Sequence, residues 1–444
     1  MSMLPPSPRT RRILVLALPI VGGMTSQNLL NLVDTAMVGA LGPAALAAVG
    51  MASFLSFMAV AMVIGLSTGV QAIAARRYGE GRFDETAVPL NGGLLLALLL
   101  GLPISVVVFV FAPDIFALLN EDTDVIREGT PYLQARCLAV AAVGMNFSFR
   151  GYWSAVDQPR LYLYTLLVMH AANILISYVL IFGAPGIPAL GTLGAGIGTA
   201  ASTVLGTLIY FRLARRRADS AGFLHRRPDW RQLGRQWRLS LPASAQQFLF
   251  AAGLTALFWI LAQVGTRELA VANVLINVTL VAVLPAIGLG LAAASLVGQS
   301  LGRRDPAEAH RWGWDVVRVG GLVLALLGAP MLLVPDLILG VFLHQPDLLD
   351  LGRLPLRIIG AGIAIDGIGL ILMHGLLGAG ATGPVMRVAL GLQWLFFLPL
   401  AWLMGTQWGL GLLAIWLVFV GSRVLQTLVF AWLWQRRGWQ QIEV

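Results

Sequence analysis

Long apolar runs, separated by short polar segments, fill most of the chain. A transmembrane helix needs about 20 consecutive apolar residues, and most of the runs reach that length. Their spacing predicts an all-α integral membrane protein with twelve transmembrane helices. The predicted spans are 12–39, 44–75, 89–112, 129–156, 161–183, 191–214, 236–263, 268–300, 314–340, 352–380, 385–405 and 409–435.

The second half of the sequence repeats the first at a shift of 223 residues, without a gap over the matched range. The superposed positions are Leu18-Pro19 with Leu241-Pro242, Gly42 with Gly265, Leu46-Ala47 with Leu269-Ala270, Gly65-Leu66 with Gly288-Leu289, and Gly79 with Gly302. Each half holds six predicted helices, an even number, so both halves have the same topology. The repeat predicts two pseudo-symmetric six-helix lobes around a central cavity, and rocking of such lobes gives alternating access.

This repeat sets the predicted domain organisation. Residues 1–214 form an N-lobe with helices 1–6, and residues 236–444 form a C-lobe with helices 7–12. Between them, residues 215–235 form a linker that is rich in arginine.

The charge distribution predicts the orientation. Charged residues make up 11% of the chain, the net charge is +9, and every basic residue is arginine. The arginines concentrate before helix 1, in the central linker, after helix 12 and in alternate loops, which by the positive-inside rule are cytoplasmic. We therefore expect a multi-pass protein of the plasma (inner) membrane with both termini in the cytoplasm. Its partner is the lipid bilayer, and no nucleic acid is expected.

Asp34 is a carboxylate inside the first span. On a helix, Gln27, Asn31 and Asp34 share one face. An ionised Asp at mid-bilayer costs roughly 2.5–3.5 kcal/mol on insertion scales, so it is a functional-site hypothesis by default. Its repeat partner is Leu257, so the scaffold does not require an acid at this position. The alternative is a structural Asp that is hydrogen-bonded to Asn31 or to a neighbouring helix.

Helix 5 presents a second polar face, because His170, Asn173 and Ser177 recur at i, i+3 and i+7. The hydroxyl of Thr199 on helix 6 would extend this cluster of polar groups. The alternatives are an interhelical hydrogen bond for Asn173, an interfacial position for His170, and a packing role for Thr199.

Helix 10 holds the second buried acid, Asp366, with His374 eight residues later and close to the same face. Asp366 either forms a second cation or substrate site, pairs with His374, or lines the cavity without coupling. A broad-specificity cavity is usually apolar and adaptable, with Met and aromatic side chains among its lining residues. The predicted lining residues are Gln27, Asn31, Met37, His170, Trp259 and His374. For Met37 and Trp259 the alternative is core packing or contact with lipid.

Several motifs together resemble the multidrug and toxic compound extrusion (MATE) family. They are Val33-Asp34-Thr35-Ala36-Met37-Val38-Gly39, then Leu41-Gly42 and Leu46-Ala47-Ala48-Val49, and the paired segments that begin at Gly65 and Gly288. The resemblance extends over nearly the whole chain. It implies a twelve-helix, two-lobe exporter of organic, often cationic compounds that exchanges them for Na⁺ or H⁺. It also implies that Asp34 is the coupling carboxylate and that Asn173 is an N-lobe cation-site residue.

The chain departs from the family pattern in two places. Ser177 stands where many members have a second Asp, which removes a negative charge and favours H⁺ over Na⁺. A Na⁺ site at Asp34, Asn173 and Thr199 stays open. Asp366, twelve residues before Gly378, resembles the C-lobe Asp of the NorM-type branch, but the family's acid in helix 7 has no match. The chain thus combines DinF-like and NorM-like features. We expect a monomer with no cofactor other than the coupling ion.

Two other functions are alternatives. The wider superfamily includes flippases of lipid-linked precursors, which would need a strongly basic cavity for a diphosphate, whereas most arginines here lie in loops. A membrane-embedded acyltransferase or protease would use Asp and His, but the HExxH motif of zinc-dependent proteases is absent from the sequence. We therefore expect a transporter and not an enzyme.

Overall fold

The computed structural model describes residues 5–444 as a helical protein. The helices of the first half are α1 (Ser7–Gly39), α2 (Pro43–Ile64), α3 (Leu66–Gly79), α4 (Val88–Leu119), α5 (Thr123–Cys137), α6 (Val140–Ala155), α7 (Pro159–Phe182) and α8 (Gly191–Arg217). Those of the second half are α9 (Trp230–Val264), α10 (Thr266–Gly302), α11 (Pro306–Leu333), α12 (Pro335–Leu339), α13 (Pro346–Gly378), α14 (Thr382–Leu390), α15 (Leu398–Trp402) and α16 (Gly411–Arg436). Two π-helical stretches, 391–397 and 403–407, flank α15.

Twelve helical segments within residues 5–444 correspond to the twelve predicted membrane spans. Of these, 11 are long and apolar enough to cross a membrane. The twelfth consists of α5 and α6, which a turn at 138–139 separates. At the 223-residue shift, this pair corresponds to the continuous helix α13, because Thr123 aligns with Pro346 and Ala155 with Gly378. The predicted all-α, twelve-helix fold class is confirmed.

The sequence repeat is also a structural repeat. The span formed by α2 and α3 runs from Pro43 to Gly79, and α10 runs from Thr266 to Gly302, so both ends keep the 223-residue shift. The close contacts repeat as well. A Cβ at Gly65 would collide with Ser244 of α9, and one at Gly288 would collide with Val21 of α1. Gly65 and Gly288 are therefore equivalent close-packing positions, where a missing side chain lets two helices approach.

The ninth predicted span, 314–340, is wrong at both ends. Its helix, α11, begins at Pro306, where the Asp305 side chain accepts a hydrogen bond from the Glu308 amide at 2.8 Å and caps the first turn. It ends at Leu333, because Pro335 starts the separate short helix α12 and cannot continue the hydrogen-bond pattern of α11. Hydropathy alone did not detect either signal.

The chain divides into two compact units. Unit 1 consists of Met1–Val21 and Phe248–Val444, and unit 2 is Gly22–Gln247. These boundaries differ from the predicted lobes 1–214 and 236–444, because α1 and α9 each contribute to both units. In unit 2, the first turns of α9 pack against Gly65 and Gly69, whereas the first turns of α1 belong to the apolar core of unit 1.

The predicted linker, residues 215–235, is folded within unit 2. The Asn91 side chain of α4 donates hydrogen bonds to the carbonyls of Gly222 and Arg226 at 2.9 and 2.8 Å. Its Oδ1 accepts from the Leu224 amide at 3.1 Å. One buried amide thus fixes the turn between α8 and α9 to the start of α4, so the segment is an ordered connection.

Candidate functional site

Asp34 lies in the membrane-spanning part of α1, in unit 2. Its Oδ1 is buried and has no hydrogen-bond partner among the described residues. A buried polar group without a partner costs about 1–3 kcal/mol, and more when it is charged, so such a group in a native protein needs an explanation. An acceptor that is free to take up a proton or a cation provides one.

Arg136 on α5 interacts electrostatically with Asp34. Its Nη1 donates to the Tyr132 hydroxyl at 2.9 Å and to the Ser53 hydroxyl at 3.3 Å. Arg136 is not among the site residues predicted from the sequence. Its position inside the predicted span 129–156 was a usable signal, since an arginine there is as unusual as an aspartate. Arg136 also lies next to the turn that separates α5 from α6, so the break in this helical span and the positive charge of the arginine lie side by side.

The polar face of α1 forms a chain of hydrogen bonds with His170 of α7. Gln27 donates from Nε2 to Asn31 Oδ1 at 3.2 Å, so its Oε1 faces His170 Nε2 at 3.1 Å. Ser26 Oγ lies 2.7 Å from His170 Nδ1. The neutral imidazole with its proton on Nε2 satisfies both contacts. Gln27, Asn31 and His170 therefore lie together, and Asp34 follows Asn31 by one helical turn.

Asn173, Ser177, Thr199 and Ser202 form a second polar group between α7 and α8, which we call the amide–hydroxyl cluster. Asn173 donates from Nδ2 to Thr199 Oγ1 at 3.2 Å and to Ser202 Oγ at 3.3 Å. Ser177 donates to Asn173 Oδ1 at 3.4 Å. The structure thus brings together three predicted residues and adds Ser202, which the spacing of three residues from Thr199 could have indicated.

Glycines on α8 bring the cluster together. A Cβ at Gly198 would lie 2.9 Å from both the Cα and the N of Ser177, and one at Gly194 would collide with the Leu180 carbonyl. Glycines four residues apart form a small-residue stripe that permits close helix approach. The hydroxyls and the amide are therefore held by a backbone contact and not only by their own hydrogen bonds.

The cluster and Asp34 differ in how well their polar atoms are satisfied. Within the cluster, the Asn173 oxygen accepts from Ser177, and the Thr199 hydroxyl also donates to the Ala195 carbonyl at 3.0 Å. Asp34 Oδ1 has no such partner. Oxygen ligands suit a hard cation such as Na⁺. However, no group of three His, Cys, Asp or Glu side chains within residues 5–444 is arranged to hold a metal ion.

Asp366 of α13 forms an ion pair with Arg423 of α16, in unit 1. Arg423 Nε lies 2.7 Å from Asp366 Oδ1, and Arg423 Nη1 donates to Gln426 Oε1 at 2.7 Å. Arg423 is not among the site residues predicted from the sequence, although it lies inside the predicted span 409–435. His374, the suggested partner of Asp366, contacts the Leu370 carbonyl through Nδ1 at 2.8 Å.

The two apolar candidates for the cavity have different surroundings. Met37 packs against the unit 2 core that includes Val38 and Ala48. Trp259 is 62% exposed, as expected for a side chain that faces either lipid or a cavity. A substrate-contacting role for either residue stays a prediction.

A family model described as MatE matches residues 19–179 and 242–403. The matched ranges begin 223 residues apart, so the model recognises each half separately. Two curated relatives have similar coverage. A probable multidrug resistance protein NorM of Brucella suis biovar 1 is 27% identical over 441 residues, which cover 95% of this chain and 92% of the relative. A protein of the same description from a Synechococcus species is 29% identical over 425 residues, with 92% and 89% covered.

A solved structure shows the same fold. It is described as the outward-facing conformation of a multidrug resistance MATE family transporter of the MOP superfamily. It matches with a TM-score of 0.89 at 20% sequence identity, over 98% of this chain and 97% of the other.

Proposed function

The chain belongs to the MatE family of transporters, and on that premise we propose that it exports organic, often cationic compounds in exchange for a coupling cation, with H⁺ favoured over Na⁺. Members of this family are transporters and not enzymes, as the sequence analysis predicted. The NorM relatives are named as multidrug resistance proteins, which supports a drug or toxic compound as the exported substrate.

One observation is central to the coupling proposal: Asp34 Oδ1 is a buried acceptor without a partner in a membrane-spanning helix. Removal from water favours the neutral, protonated acid, whereas a nearby positive charge favours the carboxylate. Arg136 supplies such a charge. A buried carboxylate with a free oxygen accepts one proton, and the positive charge of Arg136 stabilises the anion after that proton leaves.

The neighbourhood of Asp34 supports H⁺ as the coupling ion. Arg136 repels a bound metal cation, but a proton on Asp34 only neutralises the carboxylate and leaves the arginine with its Tyr132 and Ser53 contacts. Ser177 adds a hydroxyl to the amide–hydroxyl cluster where a second acid would add a negative charge. A single unpaired acid is sufficient for one proton, whereas a Na⁺ ion benefits from several oxygen ligands with more negative charge.

The proposed cycle is alternating access by a monomer in the plasma (inner) membrane, with both termini cytoplasmic. A proton from outside binds Asp34 and displaces the substrate, and release of that proton to the cytoplasm lets the next substrate bind. Each pH unit contributes about 1.4 kcal/mol. Each charge that moves through 100 mV contributes about 2.3 kcal/mol. The arginine-rich loops support this orientation.

Purified protein in liposomes tests the proposal, with ethidium as the probe cation. Separate liposome batches receive a pH gradient without Na⁺ or a Na⁺ gradient at equal pH on both sides. We expect the pH gradient alone to drive ethidium transport. Transport driven by the Na⁺ gradient alone would contradict the assignment of H⁺.

The alternative function, a flippase of lipid-linked precursors, needs a cationic site for a diphosphate. Arg423, an arginine within a span, is already paired with Asp366, which counts against such a site in unit 1.

A further inference from the structure

In unit 1, the carboxylate of Asp366 forms an ion pair with a cationic side chain of the protein itself, Arg423. Asp366 and Arg423 are joined at 2.7 Å, and their side chains are only 13% and 22% exposed. Gln426, one turn after Arg423 on α16, accepts from Nη1 at 2.7 Å. Two different groups thus orient the guanidinium, and it does not depend on the carboxylate alone for its position.

The two helices that supply this pair are held close together beside it. A Cβ at Gly369 of α13 would lie 3.1 Å from the Thr427 Cα of α16, inside normal contact distance. The Thr427 hydroxyl donates to the carbonyl of Ile365, the residue before Asp366, at 3.0 Å. This contact holds the backbones of α13 and α16 at a fixed separation beside the pair, so the ion pair does not depend on its own attraction to bring the two helices together.

The repeat shows that the pair is particular to the second half. At the 223-residue shift, Asp366 corresponds to Val143 and Arg423 to Ala200, which are both uncharged. The acid and the base therefore occur together in one half and are both missing from the other. Unit 2 shows the opposite arrangement, with an acid, Asp34, whose Oδ1 has no hydrogen-bond partner.

An attached cation competes strongly with a dissolved one. A tethered group has a local effective concentration of mM or more, and here the tether is short and oriented. Unlike a bound proton or Na⁺, a guanidinium does not leave the site, and it is not deprotonated in proteins. A carboxylate held in this way is neutralised throughout the cycle as long as the pair stays closed.

We propose that Arg423 is a tethered cation that occupies Asp366, so that Asp366 exchanges no free coupling ion and Asp34 alone sets the ion stoichiometry. This inference rests on the proposed antiport function. It makes Arg423 a positioning and specificity-determining residue, and it replaces the predicted coupling role of Asp366 with that of a fixed ion-pair partner.

Two measurements on the full chain test the inference. One is saturable binding of ²²Na⁺ and of protons to the detergent-purified protein, which does not require transport. The other is the number of cations exchanged per ethidium in liposomes, obtained from the gradient at which net flux reverses. The variant Arg423→Gln removes the tethered charge, and Asp366→Asn with Arg423→Gln removes both charges.

We expect Arg423→Gln to gain one saturable site for H⁺ or Na⁺ and one additional cation per cycle. The double variant should lose that gain, and Arg423→Lys, which keeps the charge, should behave like the wild type. Arg353→Gln is the matched control, because it breaks a more exposed pair with Asp336 and should add no ion.

The inference is overturned if Arg423→Gln binds no additional ion of either kind. If Arg423→Gln does not fold, the number of cations that Asp366→Asn exchanges per ethidium tests the inference. A number equal to that of the wild type supports the tethered cation, and the loss of one cation per cycle overturns it. Failure of the antiport proposal would appear separately, as a wild type that neither gradient drives, while the binding measurement would still test the tethered cation.

Discussion

Replacing Gly198 by Ala should force α7 and α8 apart at the amide–hydroxyl cluster. The added Cβ would lie 2.9 Å from the Cα and N of Ser177 and closer still to its hydroxyl. The first two atoms belong to the backbone and cannot rotate away. Overpacking of this kind costs about 1–3 kcal/mol. Alanine regains roughly 1 kcal/mol over glycine in a helix, so we expect a net destabilisation of up to about 2 kcal/mol.

Thermal unfolding of the purified protein and ethidium transport in liposomes test this prediction together. The matched control is Gly234→Ala on α9, where a Cβ would meet nothing within 4 Å. The control should keep or raise the melting temperature, because only the helix-propensity gain applies. Gly198→Ala should lower the melting temperature and should slow transport as the Asn173–Thr199 hydrogen bond lengthens. Equal melting temperatures and transport rates for the two variants would refute the packing argument.

Three further variants have expected outcomes. Arg9→Ala removes ion pairs at 2.6 Å to two carboxylates of α11 and should destabilise the protein by about 1–3 kcal/mol in unfolding assays, whereas the exposed Arg11→Ala should not. Asn173→Ala should slow ethidium transport and leave protein yield unchanged, because it removes the centre of the amide–hydroxyl cluster; a wild-type rate would assign Asn173 to packing alone. Arg136→Gln should make transport respond to a Na⁺ gradient, since it removes the charge that acts on Asp34; no response would count against that role.

Much of the fold was predictable because it depends on local and repeated patterns. Apolar run length identified the twelve spans, and the 223-residue shift is reproduced at helix ends such as Gly79 and Gly302. The polar face of α1 followed from helical spacing, and Gln27 and Asn31 are in fact hydrogen-bonded. The grouping of Asn173 with Thr199 also follows from two neighbouring helices that each present a polar face.

The rest depends on contacts between residues that are distant in sequence. Asp366 and Arg423 are separated by 57 residues, and hydropathy does not indicate which arginine within a span meets which acid. Arg136 shares this problem, because it acts on Asp34 although the two residues lie on different helices, α5 and α1. The division of α1 and α9 between two units is also hidden, since it depends on close packing at glycines such as Gly65. Repeat symmetry predicts equivalent helices, but it does not predict which unit each helical turn joins.

The most direct test of the central claim is proton-driven ethidium transport by Asp34→Asn, compared with Asp114→Asn. Both changes replace a carboxylate by an amide of the same shape, but Asp114 is exposed near the end of α4. We expect a pH gradient to drive transport in the wild type and in Asp114→Asn, and transport by Asp34→Asn to fall to the level of protein-free liposomes. Wild-type, pH-driven transport by Asp34→Asn would contradict the claim that this carboxylate couples protons to export.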